Sequence, residues 1–303
     1  MTEPAIQLPP PIRRDRPVGR YAPSPTGDLH LGNLRTALVA WESIRRQGGI
    51  FILRVEDIDR PRTVPGAEER MLEDLRWLGM DWDEGPDVGG PAGPYRQSDR
   101  DAIYEAALAR LTAAGLTYPC FCSRRDLKEA SAPHGEDGPV HRIVCCNTFR
   151  DNIPDRPEGA TTRFRVEQRR LIEFVDRHRG PQRYDLDKLC GDFVIRRRDG
   201  LWAYQLACAV DDGLMGVTEV VRGGDLLSST PRQIALLRAL GLPVPQYEHI
   251  ELVADAEGRR MCKRDGSCSL RSLREQGISP EAARALIMNQ PIMNHGDTET
   301  QRT

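Results

Sequence analysis

The chain has 303 residues, and its 43 basic residues nearly balance its 45 acidic residues, giving a formal net charge of −2 at pH 7. This balance gives no overall sign of a nucleic-acid-binding protein, although residues 142–183 hold ten arginines against six acids, which suits either a phosphate backbone or a solvated surface. No apolar run approaches the roughly 20 residues of a membrane span, and eight cysteines fit reduced thiols and a metal better than a disulfide scaffold, so a cytoplasmic protein without a membrane partner is expected.

The order of apolar segments predicts an α/β fold. The elements predicted in chain order are a strand at 18–22, a helix to about 47, a buried strand at 49–55, helices at about 67–78 and 99–114, strands at 193–197 and 217–221, and a helix at about 230–240. The first strand, helix and strand form a βαβ unit, in which ligands gather at the carboxyl ends of the strands, near Ala22 and Glu56.

Changes in composition suggest how the chain is divided. Residues 1–17 are rich in Pro and Arg and are expected to form a flexible leader, and the polar residues 291–303 are expected to form a frayed tail. Residues 116–189 contain a Cys pair and the arginine-rich stretch, and they are predicted to be a subdomain inserted into a domain made of residues 18–115 and 190–290. Nothing in the sequence demands a dimer, so a monomer is expected.

The turn between the first strand and the first helix predicts an anion site. It contains His30-Leu31-Gly32-Asn33, in which a small residue lets a phosphate approach the backbone beside an imidazole donor. The start of the following helix adds N–H groups and the positive end of its dipole. A second basic loop, residues 259–267, is a weak signal by itself, because a solvated basic loop is the more common explanation.

Together these two segments resemble the ATP site of the class I aminoacyl-tRNA synthetases. His30–Asn33 resembles the His-Ile-Gly-His motif of that class, and Arg260-Met261-Cys262-Lys263-Arg264 resembles its Lys-Met-Ser-Lys-Ser loop. The resemblance narrows to the glutamyl-tRNA synthetases through motifs that fall in family order across about residues 20–270. These motifs are Arg20–His30, Arg54–Asp59, Tyr204–Ala207 with Asp211 and Asp212, and Val221–Leu227.

The resemblance implies a Rossmann-like class I catalytic domain that activates glutamate with ATP and Mg2+. It implies that His30 and Lys263 are catalytic, and that His30, Gly32, Asn33 and Lys263 bind ATP. It implies that L-glutamate is bound by Arg20, Tyr21, Ala22, Pro23, Ser24, Glu56, Tyr204 and Arg222, with Glu56 on the ammonium group. Arginine pairing with a carboxylate would distinguish glutamate from glutamine. Asp211 and Asp212 are interpreted as structural residues that brace a helix end.

A structural zinc site is predicted in the inserted subdomain. Its ligands are Cys120 and Cys122, followed by His141 and Cys145 at a spacing that can bring two ligands together. Related short proteins carry Tyr in the place of His141. His134 and Cys146 are alternative ligands, and four unconnected residues in a loop are the alternative to any site.

Two departures from the glutamyl-tRNA synthetases point to a particular acceptor. Only 36 residues follow Ser267, so no anticodon-binding domain is expected. Cys208 stands where the long enzymes carry Asn, which predicts weak glutamate binding. Both features resemble the glutamyl-queuosine tRNA(Asp) synthetases, which activate glutamate without tRNA and transfer it to queuosine at the wobble position in the anticodon loop of tRNA(Asp). A truncated enzyme charging tRNA(Glu) and a non-catalytic tRNA-binding protein remain the alternatives.

Overall fold

The centre of the structure is a six-stranded sheet whose middle strands are buried. The structure is a computed structural model that describes residues 7–122, 159–166, 171–253 and 269–292. The strand order is β2-β1-β8-β9-β5-β6, in which neighbouring strands are parallel except for the β5–β6 hairpin at the edge. The described strands are β1 (Val18–Tyr21), β2 (Ile50–Leu53), β3 (Thr117–Cys120), β4 (Thr161–Phe164), β5 (Leu171–Asp176), β6 (Gly180–Asp185), β7 (Phe193–Arg196), β8 (Glu219–Gly223) and β9 (Gln246–Ile250).

Helices cover both faces of this sheet. The described helices are α1 (Leu31–Arg46), α2 (Ala67–Trp77), α3 (Asp101–Ala113), α4 (Leu186–Leu189), α5 (Tyr204–Leu214), α6 (Thr230–Ala239), α7 (Leu270–Glu275) and α8 (Pro280–Met288). Strand β2 shows the two faces directly, because Ile50 and Ile52 belong to one hydrophobic core and Phe51 and Leu53 to the other. Alternate side chains of a strand point to opposite faces, and a strand buried on both sides is therefore apolar throughout.

Helix α1 packs closely on β1 because Gly19 has no side chain. A Cβ atom at Gly19 would lie 2.3 Å from Cγ1 of Ile44, which is fully buried on α1. The apolar face of α1 includes Leu34, Leu38 and Ile44 at helical spacing. The first strand and helix of the predicted βαβ unit are thus confirmed as a tightly packed pair, and this packing fixes where α1 begins at the sheet edge.

A smaller antiparallel sheet lies beside the main one and contains β3, β4 and β7 in that order. Strands from either side of the predicted boundaries of the insertion pair in each sheet. Strands β5 and β6 fall within the range 116–189 predicted for the insertion, yet they pair in the main sheet. Strand β7 falls within 190–290, yet it pairs with β4 in the small sheet. Pairing depends on distant partners, which local patterns do not specify. The division into domains stays a prediction.

The segment before β1 packs against the fold and differs from the loose leader expected. The amide of Ile12 donates to the carbonyl of Leu214 at 2.9 Å. Arg14 forms an ion pair with Glu84, at 2.5 Å between Nη1 and Oε1, and donates to the carbonyl of Met215. Among the described residues, no helix is both long and apolar enough to cross a membrane.

Candidate active site

The loop after β1 is held against the segment that follows β2. The amide of Glu56 donates to the carbonyl of Pro23 at 2.9 Å, and the amide of Arg54 donates to the carbonyl of Tyr21 at 3.0 Å. His30 then precedes α1 in an extended conformation, and its side chain does not cap the helix. Because the first N–H groups of a helix have no partner within it, this end of α1 suits an anion.

A cavity of about 660 Å³ opens at these strand ends. Every predicted ATP or glutamate residue that the structure describes lines it: Arg20, Tyr21, Ala22, Pro23, Ser24, His30, Gly32, Asn33, Glu56, Tyr204 and Arg222. Lys263 lies outside the described residues. The cavity therefore brings together four segments that are far apart in sequence, and the roles of the individual residues stay predictions.

Arg20 enters the cavity already paired with an acid. Its Nε lies 3.2 Å from Oδ1 of Asp212, and Arg54 donates to the same carboxylate oxygen at 2.7 Å. Burial works to raise the pKa of Asp212, but the two guanidinium groups outweigh it and hold that pKa at about 2. Arg54 also donates to Glu56 at 3.1 Å. In Glu56 burial outweighs Arg54 and Arg20, so its pKa is raised.

Arg222 differs from Arg20 because its partners are neutral. Its side chain is buried, and its three nitrogens donate to Nε2 of His249 at 3.0 Å, Oε1 of Gln233 at 2.8 Å and Oγ1 of Thr230 at 2.8 Å. No carboxylate of a described residue lies within ion-pair distance of it. The positive charge at Arg222 is therefore not compensated by an adjacent acid, which favours an anionic ligand in the cavity.

Helix α5 contributes Tyr204 to the lining of the cavity and Cys208 to the buried ion cluster. Tyr204 is half-buried at the first position of α5, and burial raises its pKa. Cys208 lies one turn further, fully buried, with its Sγ 3.6 Å from Asp212 and 3.8 Å from Arg54. Burial and then the nearby acids raise the pKa of this thiol to about 12. Cys208 thus lies beneath the cavity against the ion cluster, and the weak glutamate binding predicted from it stays a prediction.

Sequence reasoning missed the residues that hold the arginines in place. Asp211 braces α5 as predicted, accepting hydrogen bonds from Arg100, Gln97 and Tyr104 at 2.7–2.9 Å. Asp212 does more than brace a helix, because it pairs with Arg20. Arg54 belongs to the motif Arg54–Asp59, but the sequence analysis assigned it no role, and the structure shows that it pairs with Asp212 and Glu56. Asp176 and His249 carried no sequence signal, since their partnership depends on the sheet order.

A second cavity of about 1070 Å³ adjoins the first and extends to the small sheet. It shares Ser24, Glu56, Asp59, Arg62 and Tyr204 with the first cavity, and Trp202, Arg163 and Cys122 line its other side. Among its lining residues, Arg62 and Arg197 have exposed side chains, and each forms an ion pair with Asp59. The two cavities together form a continuous cleft that joins the edge of the main sheet to the small sheet.

The predicted metal site is described only in part. Cys120 ends β3 and is buried, and Cys122, two residues later, is half-buried. His141 and Cys145, like the alternatives His134 and Cys146, lie outside the described residues. Within the described part of the chain, no group of three or more His, Cys, Asp and Glu residues is placed to hold a metal ion.

Comparison with known proteins defines the class. Residues 18–302 match the family model described as the catalytic domain of class I tRNA synthetases for glutamate and glutamine (E and Q). The chain belongs to this family and is a ligase of the class I synthetase type. The predicted Rossmann-like catalytic domain is confirmed at this level.

Individual relatives sharpen the resemblance. The chain is 54% identical to the Glutamyl-Q tRNA(Asp) synthetase of Symbiobacterium thermophilum over 269 residues, which cover 87% of this chain and 83% of that protein. It is 48% identical to Glutamate--tRNA ligase 2 of Nitrosococcus oceani over 270 residues, which cover 87% of this chain but 57% of the ligase. A crystal structure of a glutamate tRNA ligase from Elizabethkingia meningosepticum in complex with its amino acid is similar with a TM-score of 0.78 and 32% identity, over 91% of this chain and 61% of that one. The predicted resemblance to glutamyl-queuosine tRNA(Asp) synthetases is confirmed.

Proposed function

We propose that this protein activates L-glutamate with ATP in the absence of tRNA and transfers the glutamyl group to queuosine at the wobble position of tRNA(Asp). The main support for the activation step is one cavity. It is lined by the turn at His30, by Glu56 and by Arg222, which has no carboxylate of a described residue within ion-pair distance. The similarity to a protein named Glutamyl-Q tRNA(Asp) synthetase supports the acceptor.

The activation step needs charge stabilisation more than covalent help from the protein. The α-carboxylate of glutamate attacks the α-phosphorus of ATP, the bond from that phosphorus to the bridging oxygen of the β-phosphate breaks, and pyrophosphate leaves. His30 and the N-terminus of α1 would hold the phosphates, and Gly32 and Asn33 would line the nucleotide. Lys263 would neutralise charge on the leaving pyrophosphate. Such catalysis rests on positioning and on donors placed where charge develops.

The charges around the cavity suit glutamate. Arg222 offers a guanidinium without an acidic neighbour among the described residues, so a substrate carboxylate would complete its pairing. Arg20, with Asp212 already beside it, would contribute hydrogen bonds more than net charge. Glu56 would receive the ammonium group, which favours its ionised form against the effect of burial. Tyr204 and the backbone of residues 21–24 would close the pocket around the amino acid.

The second cavity supplies a route for the acceptor. It meets the first cavity at Ser24, Glu56 and Tyr204, where the activated carboxyl group would lie. Arg62 and Arg197, exposed along its lining, would exchange their ion pairs with Asp59 for the phosphates of an anticodon loop. A queuosine side chain entering here would present a hydroxyl group to the glutamyl adenylate, and AMP would leave as the new ester bond forms.

Exchange of labelled pyrophosphate into ATP tests the activation step. Glutamate should support exchange without tRNA, and glutamine should not. Absence of exchange would favour a binding protein or an enzyme that requires tRNA. The His30→Ala variant should lose exchange while retaining the fold, whereas His178→Ala, at an exposed imidazole outside both cavities, should retain exchange.

Transfer to tRNA separates the acceptors. Labelled glutamate should appear on tRNA(Asp) that contains queuosine and not on tRNA(Asp) that lacks it, and the label should remain after removal of the terminal adenosine. The similarity to a glutamate--tRNA ligase makes charging of tRNA(Glu) the second candidate. Label on tRNA(Glu) that is lost with the terminal adenosine would establish that candidate instead.

We also propose that Cys120, Cys122, His141 and Cys145 hold one structural Zn2+. One support is position: Cys120 is buried at the end of β3, and Cys122, two residues later, is half-buried. The other support is the preference of zinc for thiolate and imidazole ligands. Four protein ligands leave no open position, so this ion would order the small sheet and take no part in the activation step.

A further inference from the structure

Three polar side chains lie in a row across the carboxyl ends of three neighbouring strands. Asp176 ends β5, His249 lies on β9, and Arg222 lies on β8 directly opposite His249 in the strand register. Oδ2 of Asp176 lies 2.6 Å from Nδ1 of His249, and Nε of Arg222 lies 3.0 Å from Nε2 of the same ring. The Asp176 and His249 side chains are fully buried.

The hydrogen bonds assign the protonation of His249. Arg222 can only donate, so Nε2 of His249 must carry a lone pair, and the ring proton must sit on Nδ1, where Asp176 accepts it. Asp176 is itself fixed, because Oδ1 accepts from the backbone amides of Arg179 at 2.8 Å and His178 at 3.1 Å. The direction of every bond in the row is therefore determined.

We propose that Asp176 and His249 are positioning residues that orient Arg222 and keep its charge available for a substrate carboxylate, and so set the preference for glutamate over glutamine. This inference rests on the proposed activation of glutamate. Neither residue lines the cavity, so they act through Arg222 alone.

The comparison with Arg20 shows what the imidazole contributes. A carboxylate placed directly on a guanidinium, as Asp212 is on Arg20, neutralises it and competes with an incoming carboxylate. Neutral His249 supplies a strong acceptor to Arg222 and separates it from the charge of Asp176. His249, Gln233 and Thr230 thus hold Arg222 in place without neutralising its positive charge, which stays available to an anionic ligand.

The surroundings keep the ring neutral. Burial is the largest effect on the pKa of His249, and with the charges of Arg222 and Arg179 it outweighs the hydrogen bond and charge of Asp176, so that the pKa is lowered to about 4. Arg179 donates to the carbonyl of His249 at 3.2 Å, and the ring of Tyr247 stacks at 6.1 Å between centroids. Thr230 of α6 lies 3.0 Å from Nε2 and is neutral, so of these neighbours only Asp176 favours a second proton on the ring.

Steady-state exchange kinetics with three variants test the role. His249→Leu removes the acceptor, and we expect the KM for glutamate to rise about tenfold or more, as for loss of a hydrogen bond to a charged group, with the KM for ATP unchanged. His249→Gln, whose amide oxygen can take the place of Nε2, should recover most of that loss. Asp176→Asn keeps the shape but offers Nδ1 of His249 a weaker, neutral acceptor, so Nε2 is held less firmly toward Arg222 and the ratio of kcat/KM for glutamate over glutamine should fall.

The matched control is His178→Leu, because that exposed imidazole also contacts a carboxylate, Glu251 at 2.5 Å, but has no contact with Arg222. It should leave both KM values as in the wild type. An unchanged glutamate KM in His249→Leu, or equal increases in the KM for glutamate and ATP, would overturn the proposal.

Nitrogen NMR of the histidine rings gives a readout that does not depend on catalysis. At pH 7 His249 should be neutral with its proton on Nδ1, and glutamate binding should shift its Nε2 resonance through Arg222. A charged ring or a proton on Nε2 would overturn the inference. Failure of the wild-type protein to exchange pyrophosphate would instead reject the proposed function, and the assigned tautomer would still be measured.

Discussion

Gly32 shows how one residue can report on ATP alone. It lies in the first turn of α1, and among the described residues a Cβ atom added there would meet only Val253, at an ordinary contact distance of 3.7 Å. The protein therefore has room for a methyl group at this position. The residue nevertheless lines the cavity, so that methyl group would occupy space proposed for the nucleotide.

We predict that Gly32→Ala raises the KM for ATP about tenfold and leaves the KM for glutamate nearly unchanged. Stability should be unchanged or higher by up to about 1 kcal/mol, because alanine is favoured over glycine in a helix. Exchange kinetics and urea unfolding measure the two effects. A variant with lower stability, or with both KM values raised, would show that the methyl group disturbs the fold or the whole site instead.

Single residues also show what local sequence can and cannot predict. The motif residues at His30, Glu56, Tyr204 and Arg222 were found because each stands in a segment with its own pattern, and the cavity does bring them together. The partners that set their charge were not found. Asp212 and His249 have ordinary neighbours in sequence, and their effects arise only when distant strands and helices meet.

At the scale of elements, helix α5 joins the site to the core through one face. Tyr204, Cys208 and Asp211 recur at intervals of four and three residues, which places them along one side of a helix. The N-terminal end of that face reaches the cavity, and its C-terminal end carries Asp211, which is fully buried and holds Arg100 at 2.7 Å. The buried acid thereby ties α5 to α3 and to the segment before it.

We predict that Asp211→Ala lowers the free energy of unfolding by about 3–5 kcal/mol, since it leaves Arg100 and part of Arg54 as unpaired buried charges. Chemical unfolding followed by circular dichroism measures the change. Asp199→Ala is the matched control, because Asp199 and its partner Arg197 are both about half exposed, with side-chain exposures of 49% and 46%. It should change stability little. Equal effects of the two variants would contradict the bracing role.

The small sheet leads to a prediction about metal. If Cys120 and Cys122 bind zinc with His141 and Cys145, purified protein should contain about one Zn2+ per chain by elemental analysis. Cys122→Ser should lose the metal and lower the Tm of the protein, because the ion would order the segment that follows β3. Cys190→Ser is the matched control, because the Sγ of Cys190 donates a hydrogen bond to the carbonyl of Leu186 and is not one of the proposed ligands. This variant should retain the metal. Wild-type protein without zinc would reject the site.

The positions of helices and strands along the chain were predicted better than the pairing of strands in the two sheets. The positions of β1, α1, β2, α2, α3 and α6 follow from apolar periodicity and from Gly and Pro at their ends, and the structure confirms them within a few residues. Strand β7 was predicted but its pairing in the small sheet was not, and β5 and β6 were not predicted as strands. Long-range pairing decided between the two sheets.

At the scale of the whole molecule, buried ionisable groups link stability to pH. The pKa values of Asp176 and Asp212 are held at about 2, below 3.8 in the unfolded chain, and that of His249 is lowered to about 4 from 6.5. In each case the unfolded chain binds a proton first as pH falls, so acid removes stability. Glu56 and Asp74 act in the opposite direction, because burial raises their pKa values in the folded state.

The lowered pKa of His249 and those of the two aspartates act in separate pH windows, which lets one variant isolate His249. Between pH 6.5 and about 4, the folded protein keeps His249 neutral while the unfolded chain protonates it, so this residue should lower the free energy of unfolding by up to about 1.4 kcal/mol per pH unit.

We predict that wild-type stability, measured by urea unfolding at several pH values, falls more steeply in this window than that of His249→Gln. Below about 3.8 both proteins should lose further stability, because the unfolded chain protonates Asp212 before the folded protein does, and the wild type should lose more because His249 helps to lower the pKa of Asp176. His178→Gln controls for the loss of an imidazole and should follow the wild type. Parallel curves for wild type and His249→Gln between pH 6.5 and 4 would mean that His249 is charged in the folded protein, and Arg222 would then lack the neutral acceptor that leaves its charge for the substrate.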